Sequence, residues 1–271
     1  MLALLSFCMH SGWVGFLRPR GDHVRLLGLI VALLALGAST LKANAGGMNL
    51  SWGEGCWADN PKSVQTFACN TNAGSFSMTA SAMPSRDLPL FVVFDLRLDL
   101  QSDSAELPDW WQLCGNGGCR TGSLIATGDF NSAPGGCVYV WPGQSPSASF
   151  NWRTAEWCGG SGVSPLPPNR AEIQVNIANS SLPSLHVGTE YYACRLTFNV
   201  GATTGAGGCG GCSVPATIVL NEIDLYGAAA FEYITTPLAN TCLRWQASGS
   251  TPCSATTVRN MTWGAIKSFY R

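Results

Sequence analysis

Residues 90–100 contain the pattern that decides the fold class, Leu-Phe-Val-Val-Phe-Asp-Leu-Arg-Leu-Asp-Leu. Every even-numbered position is apolar, whereas the odd-numbered positions include Asp95, Arg97 and Asp99. Successive side chains of a β-strand point to opposite faces of a sheet. The pattern therefore predicts a strand whose even-numbered side chains, from Leu90 onward, lie in the core and whose other face is largely exposed.

The same alternation recurs in three further segments: 172–178, 192–200 and 217–226. In the last of them the apolar phase changes between Leu220 and Ile223, which predicts a β-bulge near Asn221. Shorter strands are predicted at 76–81, 123–129, 138–141 and 231–235. Many short, half-buried strands separated by turns rich in Gly, Pro and Ser predict an all-β protein, an antiparallel β-sandwich of immunoglobulin-like or jelly-roll-like type.

The composition excludes two classes of protein. Charged residues make up 11% of the 271 residues, with 15 Lys and Arg against 16 Asp and Glu. A nucleic-acid-binding protein needs clustered Lys and Arg to neutralise phosphates, so that class is excluded. The hydrophobic content of 46% supports a packed core and excludes a disordered chain.

The first 45 residues have the order of parts expected of an export signal. A basic stretch at 18–25 precedes the apolar run 26–36, and Ala43-Asn44-Ala45 supplies a cleavage site. An additional apolar stretch precedes the basic one, and a true start near Val24 would give a signal of ordinary length. The alternative is an uncleaved anchor, but the apolar run is short of the ~20 residues of a spanning helix.

Cleavage after Ala45 leaves a β-sandwich domain at 46–235 and a C-terminal extension at 236–271, with no membrane span. In the extension, Trp263, Ile266 and Phe269 are spaced by three, which predicts a short amphipathic helix. A helix of about nine residues is not stable alone in water. It must therefore dock, either on its own domain, which we favour, or on a partner.

The cysteines predict a disulfide-braced protein. The chain has 12 cysteines, of which Cys8 lies in the leader, and such density in an exported chain favours disulfides. The odd count leaves one free thiol, which we assign to Cys194 because it occupies an inward strand position. The predicted pairs are Cys56–Cys69, Cys119–Cys137, Cys114–Cys158, Cys209–Cys212 and Cys242–Cys253. Alternatives for Cys209-Gly-Gly-Cys212 are a redox motif and a zinc site shared with Cys114 and Cys119.

One acidic segment is a candidate calcium site. Four carboxylates lie within eleven residues: Asp99, Asp103, Glu106 and Asp109. Calcium takes about six to eight oxygen ligands, and carboxylates are its usual protein ligands. The spacing is not that of an EF-hand, and a solvated acidic loop is the alternative. No other cofactor is predicted.

The catalytic signals are weak. His186 is the one histidine after residue 45, and no G-x-S-x-G pattern accompanies it, so no Ser-His-Asp triad is predicted. Glu222 and Asp224, two residues apart, come nearest to the carboxylate spacing of a glycoside hydrolase, but such pairs are common on solvated strands. We therefore predict a non-catalytic protein and keep a hydrolase with an unrecognised carboxylate site as an alternative.

The tryptophans give a second alternative. Several of them lie in predicted loops, namely Trp52, Trp57, Trp110, Trp111, Trp152 and Trp157, and the last four are the predicted ligand-binding residues. Exposed indole rings can stack on sugar rings, whereas buried ones supply apolar area to a loop-rich domain. The favoured function is a secreted or cell-surface interaction or structural module with an unknown protein or glycan partner. The alternative is a module that binds a carbohydrate or another small ligand through these tryptophans.

Overall fold

Two β-sheets packed face to face make up the described part of the chain, which in this computed structural model comprises residues 46–113, 117–132, 135–154, 166–250 and 252–253. All of these residues belong to one compact unit. The strands are, in chain order, β1 Gly47–Trp52, β2 Val64–Gln65, β3 Ser75–Met83, β4 Phe91–Ser102, β5 Leu124–Thr127, β6 Ser147–Thr154, β7 Arg170–Ala178, β8 Tyr191–Asn199, β9 Ala216–Gly227, β10 Phe231–Ile234 and β11 Cys242–Trp245.

The two sheets differ in size. The first sheet has the order β1-β3-β8-β5, and the second has the order β2-β11-β9-β4-β7-β6. β10 folds back on β9 and pairs with its second half, whereas β11 pairs with the first half. Every pair is antiparallel except that of β2 with β11. The second sheet therefore includes a strand, β11, from the segment predicted as a C-terminal extension.

One hydrophobic core lies between the sheets. Leu50, Met78 and Phe198 enter it from the first sheet, and Phe94 and Ile173 enter it from the second. The alternation of β4 and β7 explains this arrangement, because every second side chain of each strand is buried in the core. The predicted all-β sandwich is confirmed.

Local irregularities account for two differences from the predicted strands. β4 begins at Phe91, which is fully buried, whereas Leu90 has a φ of +53° and is exposed. The register with β9 shifts between Phe91 and Val93, so the phase predicted for the start of this strand is wrong. The strand predicted at 138–141 is also wrong: Val138 makes an isolated bridge to Tyr191. The predicted bulge is confirmed, since β4 pairs with Leu220 and Glu222 and passes over Asn221.

Aromatic rings fill the sandwich where β9 begins. This group, the indole cluster, consists of Trp52, Phe67, Phe76, Trp110, Trp111 and Trp245. Trp245 lies at its centre, with ring centroids 4.7 Å from Trp110 and 5.2 Å from Trp111. Its indole N–H donates to the carbonyl of Cys212 at 2.7 Å. The cluster buries large apolar surface, and its central indole keeps a hydrogen-bond partner.

A buried arginine closes the cluster on one side. The guanidinium of Arg120 lies 3.7 Å from the ring centroid of Trp110 and donates to the carbonyls of Trp110, Asn199 and Gly201. Burial lowers the pKa of Arg120 to about 10. The side chain thus joins the end of β8 and the residues just after it to the short 3₁₀ helix Asp109–Trp111 through hydrogen bonds to three carbonyls and a cation–π contact.

Four disulfides brace the described residues: Cys56–Cys137, Cys69–Cys212, Cys119–Cys209 and Cys242–Cys253. The last is the pairing predicted from the sequence. The predicted pairs Cys56–Cys69, Cys119–Cys137 and Cys209–Cys212 are wrong, because the sandwich brings distant loops together, so short spacing does not select the partner. Since Cys119, Cys209 and Cys212 are all bonded elsewhere, they form neither the redox motif nor the zinc site. The predicted pair Cys114–Cys158 lies outside the described residues.

Cys194, predicted to carry the free thiol, is buried on β8 and has no disulfide partner. Burial raises the pKa of its thiol. No helix within the described ranges is long and apolar enough to cross a membrane. The C-terminal helix predicted at 258–271 and the leader 1–45 lie outside those ranges.

Candidate functional site

The outer face of the second sheet carries an unusual group of side chains where β9 ends and β10 turns back. We call it the acidic–aromatic surface, and it consists of Asp95, Glu222, Asp224, Tyr226, Phe231 and Tyr233. These residues alternate with core residues such as Ile223 and Leu225, which point inward. Their side chains therefore share the solvent side of the sheet.

Strand register brings the charged residues together. Asp95 of β4 lies directly opposite Asp224 of β9, and Arg97 lies opposite Glu222. Side chains directly opposite on antiparallel strands have Cβ atoms about 4.5–5.5 Å apart, and like charges there repel. Arg97 compensates Glu222 through an ion pair with 3.0 Å between Nε and Oε1. Asp95 and Asp224 thus form a like-charge pair beside a matched one.

Two tyrosines cover the carboxylates. The hydroxyl of Tyr233 donates to Glu222 Oε2 at 3.0 Å, and the hydroxyl of Tyr226 donates to Asp224 Oδ2 at 3.1 Å. As a result Glu222 and Asp224 are buried although they lie on the outer face. The Nε2 group of Gln174 lies 3.3 Å from Asp95 Oδ2, which gives that carboxylate a weaker partner.

The surface has more negative than positive charge. Its three carboxylates and the guanidinium of the adjacent Arg97 together give a formal charge of −2 when all are ionised. Burial raises the pKa of Asp224 to about 6, and the negative charges of Glu222 and Asp95 add to the effect, whereas the Tyr226 hydrogen bond opposes it. Burial also raises the pKa of Asp95. Both shifts have the direction expected when ionised carboxylates are desolvated side by side.

One carboxylate oxygen lacks a partner. Asp224 is only 8% exposed, and its Oδ1 atom is buried without a hydrogen bond in the described part of the chain. A buried polar atom left unpaired costs roughly 1–3 kcal/mol. The Oδ1 atom has no contact with solvent, so its uncompensated negative charge acts through the electrostatic potential of the surface, which favours a positively charged group near the more accessible Asp95.

Exposed rings border the carboxylates. Phe231 is 59% exposed, Tyr233 is 49% exposed and Tyr226 is 40% exposed. The rings of Tyr226 and Phe231 are nearly parallel, with 20° between their planes and 6.2 Å between centroids. Farther along the same face the charges are matched, because Asp99 pairs with Arg170 and Glu172 pairs with Arg153. The charge excess thus lies beside the exposed rings.

The tryptophans predicted to bind a ligand do not form a platform. Trp110 and Trp111 are fully buried in the indole cluster, and Trp152 is buried on β6. A buried indole cannot stack on a sugar, so the ligand-binding role predicted for these three is wrong. Trp157, the fourth, lies outside the described residues.

The four carboxylates of the predicted calcium site do not converge. Asp99 pairs with Arg170, and Asp103 accepts hydrogen bonds from the backbone and side chain of Ser250. Within the described ranges, one set of three metal-ligand side chains has its ligand atoms within 4.8 Å of one another, Cys56, Cys137 and Glu190. Its two cysteines form a disulfide, so this set is not a metal site either.

The residues considered for catalysis are divided between two places. His186 lies 3.8 Å from Asp87, and both side chains are exposed. Glu222 and Asp224 belong to the acidic–aromatic surface instead. The sequence contains every residue of this surface, but the register that puts Asp95 opposite Asp224 depends on the bulge at Asn221. One feature of the sequence could have indicated this surface: the hairpin of β9 and β10 carries Tyr226, Phe231 and Tyr233 close to Glu222 and Asp224.

Comparison with known proteins gives no family. No protein-family profile matches the sequence, and no curated protein sequence matches it. Among solved structures, the chain is similar to a non-cellulosomal cohesin from the hyperthermophilic archaeon Archaeoglobus fulgidus, with 11% identity over 73% of this chain and 91% of that chain and a TM-score of 0.27.

A second similar structure is the GH20 exo-β-N-acetylglucosaminidase from Vibrio harveyi, in complex with N-acetylglucosamine. The identity is 8% over 71% of this chain and 17% of that chain, with a TM-score of 0.22. This chain therefore spans a small part of that enzyme. At these TM-scores neither similarity transfers a ligand, a partner or an activity to this chain.

Proposed function

We propose that this protein is an exported, non-catalytic interaction module whose contact surface is the acidic–aromatic surface. The observation that carries the proposal is the exposure of Tyr226, Phe231 and Tyr233 beside carboxylates with excess negative charge. Tyrosine is enriched among the residues that dominate the binding energy of protein interfaces. A rigid sheet face with exposed rings and a charge of one sign suits a protein partner with a cationic group.

Export is supported by two features of different kind. The order of basic, apolar and small residues in the leader is that of a signal peptide. Four disulfides are typical of proteins that fold in an oxidising compartment. N-terminal sequencing of secreted protein tests this part of the proposal, and the expected first residue is Gly46.

The carboxylates suit binding better than hydrolysis. A hydrolase needs a carboxylate that faces an open cleft and can transfer a proton to substrate or water. Glu222 is instead held by Arg97 and Tyr233, and Asp224 is covered by Tyr226. In these contacts both carboxylates accept hydrogen bonds, and neither faces an open cleft in which it could transfer a proton to a substrate.

A glycan is the second candidate ligand. The rings of Tyr226 and Phe231 are nearly parallel and both exposed, and an exposed aromatic face is a surface on which a sugar ring stacks. A glycan array probed with the intact protein and with Phe231→Ala separates the two ligand classes. Glycan binding that is lost in Phe231→Ala would assign the surface to carbohydrate.

Photo-crosslinking tests the proposal for a protein partner. A benzophenone amino acid is placed at Phe231 and, as the control, at Ile125, which is similarly exposed on β5 of the other sheet. We expect intermolecular protein adducts from position 231 in the producing cells or their medium, and none from position 125. Equal labelling from both positions, or no adduct from 231, would contradict the proposal.

A further inference from the structure

The C-terminal segment leaves the described structure on the same face as the acidic–aromatic surface. Leu243 and Trp245 of β11 point into the core, so Cys242, which alternates with them, points outward. Cys242 is bonded to Cys253. The disulfide therefore holds Cys253 on the outer face of the second sheet.

The anchor lies close to the surface along β9. Cys242 pairs with Val219, three residues before Glu222 and five before Asp224. At about 3.3 Å per residue these separations are about 10 Å and 16 Å. The 18 residues from 254 to 271 can span up to about 60 Å when extended. The segment can therefore reach every residue of the surface.

The composition of residues 254–271 complements that surface. The segment contains Arg259, Lys267 and Arg271 and no Asp or Glu, so its side chains carry a formal charge of +3. With the adjacent Arg97 counted, the surface has a charge of −2, to which the unpaired Oδ1 of Asp224 contributes from beneath Tyr226. The segment also contains three aromatic residues, Trp263, Phe269 and Tyr270, that can pack on the exposed rings.

We propose that residues 254–271, here called the cationic tail, bind the acidic–aromatic surface of their own chain. The inference rests on the proposed function in one respect, because an external partner must displace the tail from the same surface. A linked segment has an effective concentration in the millimolar range, so even a weak intrinsic affinity gives substantial occupancy. The tail thereby sets the threshold that a partner must exceed.

A guanidinium or ammonium group fits the surface better than a metal ion. The carboxylates of Asp95, Glu222 and Asp224 do not bring one oxygen each to within 4.8 Å of the other two. A metal ion would need its ligands to converge, whereas a long cationic side chain can donate to the partly exposed Asp95 and stack on a neighbouring ring. The geometry thus favours a peptide ligand with basic side chains.

Intramolecular crosslinking in the full chain tests the proposal. With the benzophenone at position 231, mass spectrometry of digested protein should find an internal crosslink to a peptide from 254–271, and the control label at Ile125 should give none. Replacing Arg259, Lys267 and Arg271 with Gln removes the tail's charge. This protein, the Gln-tail variant, should lose most of the internal adduct, and an unchanged disulfide pattern serves as the folding control.

Two further measurements sharpen the result. Raising NaCl from about 50 mM to 500 mM should reduce the internal adduct of the parent, because salt screens charge pairs between exposed groups. Glu222→Gln combined with Asp224→Asn should reduce it as the Gln tail does, whereas Glu172→Gln on the same face should not. An internal adduct that is absent, or that is equally strong from position 125, or that is insensitive to these charge changes, would overturn the inference.

The failure of this inference can be distinguished from failure of the proposed function. If position 231 gives adducts with other proteins but none with the tail, the tail does not bind the surface, and the proposed interaction function is retained. If the tail adduct forms but the Gln-tail variant gives no adduct with another protein, the proposed interaction function is contradicted, and the binding of the tail to its own chain is supported. If both hold, external adducts should increase several-fold in the Gln-tail variant.

Discussion

The two halves of β9 use aromatic residues in opposite ways. Where β9 begins, the indole cluster is buried between the sheets, and its central Trp245 has a hydrogen-bond partner in Cys212. Where β9 ends, Tyr226, Phe231 and Tyr233 remain exposed beside carboxylates whose charge is not balanced. The same residue class therefore stabilises one end of the strand and is available for binding at the other.

The largest expected effect comes from the disulfide Cys69–Cys212, whose Cys212 carbonyl accepts the hydrogen bond from Trp245 of the indole cluster. Cys69–Cys212 spans 143 residues, whereas Cys242–Cys253 spans 11. Loop-closure entropy predicts a loss of roughly 5 kcal/mol on removing the first and roughly 3 kcal/mol on removing the second. Denaturant unfolding of the two Cys→Ser double variants measures both losses. Equal losses would show that loop length does not set the stabilisation here.

Alanine substitutions compare the two ends directly. Trp245→Ala removes a fully buried ring and should lower the free energy of unfolding by about 3–5 kcal/mol. Phe231→Ala removes a ring that is 59% exposed and should change it by less than about 0.5 kcal/mol. A large loss from Phe231→Ala would mean that its ring stabilises the fold, and the contrast between the two ends would fail.

The smallest expected effect is a dependence of stability on pH that arises from Asp224 of the acidic–aromatic surface. The pKa of Asp224 is about 6 in the folded chain, above the ~3.9 of an unfolded Asp, so between these values the folded state holds more protons. Its contribution to stability is therefore favourable at low pH and declines as the pH rises through about 6. In the Gln-tail variant, Asp224→Asn should raise the melting temperature at pH 7.5 and have little effect near pH 4.

The parent tail gives the matched comparison for that measurement. If the cationic tail offsets the carboxylate repulsion, Asp224→Asn should stabilise the parent less than the Gln-tail variant at pH 7.5. Thermal melts of the four proteins form a double-mutant cycle that isolates the interaction. An equal increase in melting temperature in both backgrounds would show that Asp224 does not interact with the tail.

The long strands were predictable because their patterns are local. Alternation in β4, β7, β8 and β9 identifies them from the sequence alone. β1 was missed although Met48, Leu50 and Trp52 alternate, because it directly follows the predicted leader and its polar residues Asn49 and Ser51 are also buried. β11 has only four residues, too few for a periodic pattern.

The candidate site was less predictable because it depends on non-local register. Asp95 and Glu222 are 127 positions apart in the sequence, and the bulge at Asn221 decides which of their neighbours meet. The predicted disulfide pairs were wrong for the same reason. Cys56 lies 13 residues from Cys69, yet its partner is Cys137. Spacing predicts contacts within a segment, whereas sheet topology decides contacts between segments.

The disulfide connectivity has a consequence for how the chain is oxidised. In a chain that emerges from its N-terminus, Cys69 becomes available to Cys56 long before Cys137 does, and Cys209 and Cys212 emerge almost together. Three of the four described bridges join cysteines 81 to 143 residues apart. An oxidase that joins successive thiols would therefore make pairs that must later be exchanged. We therefore expect the yield of oxidised protein to depend on the supply of a thiol isomerase more than on the oxidant.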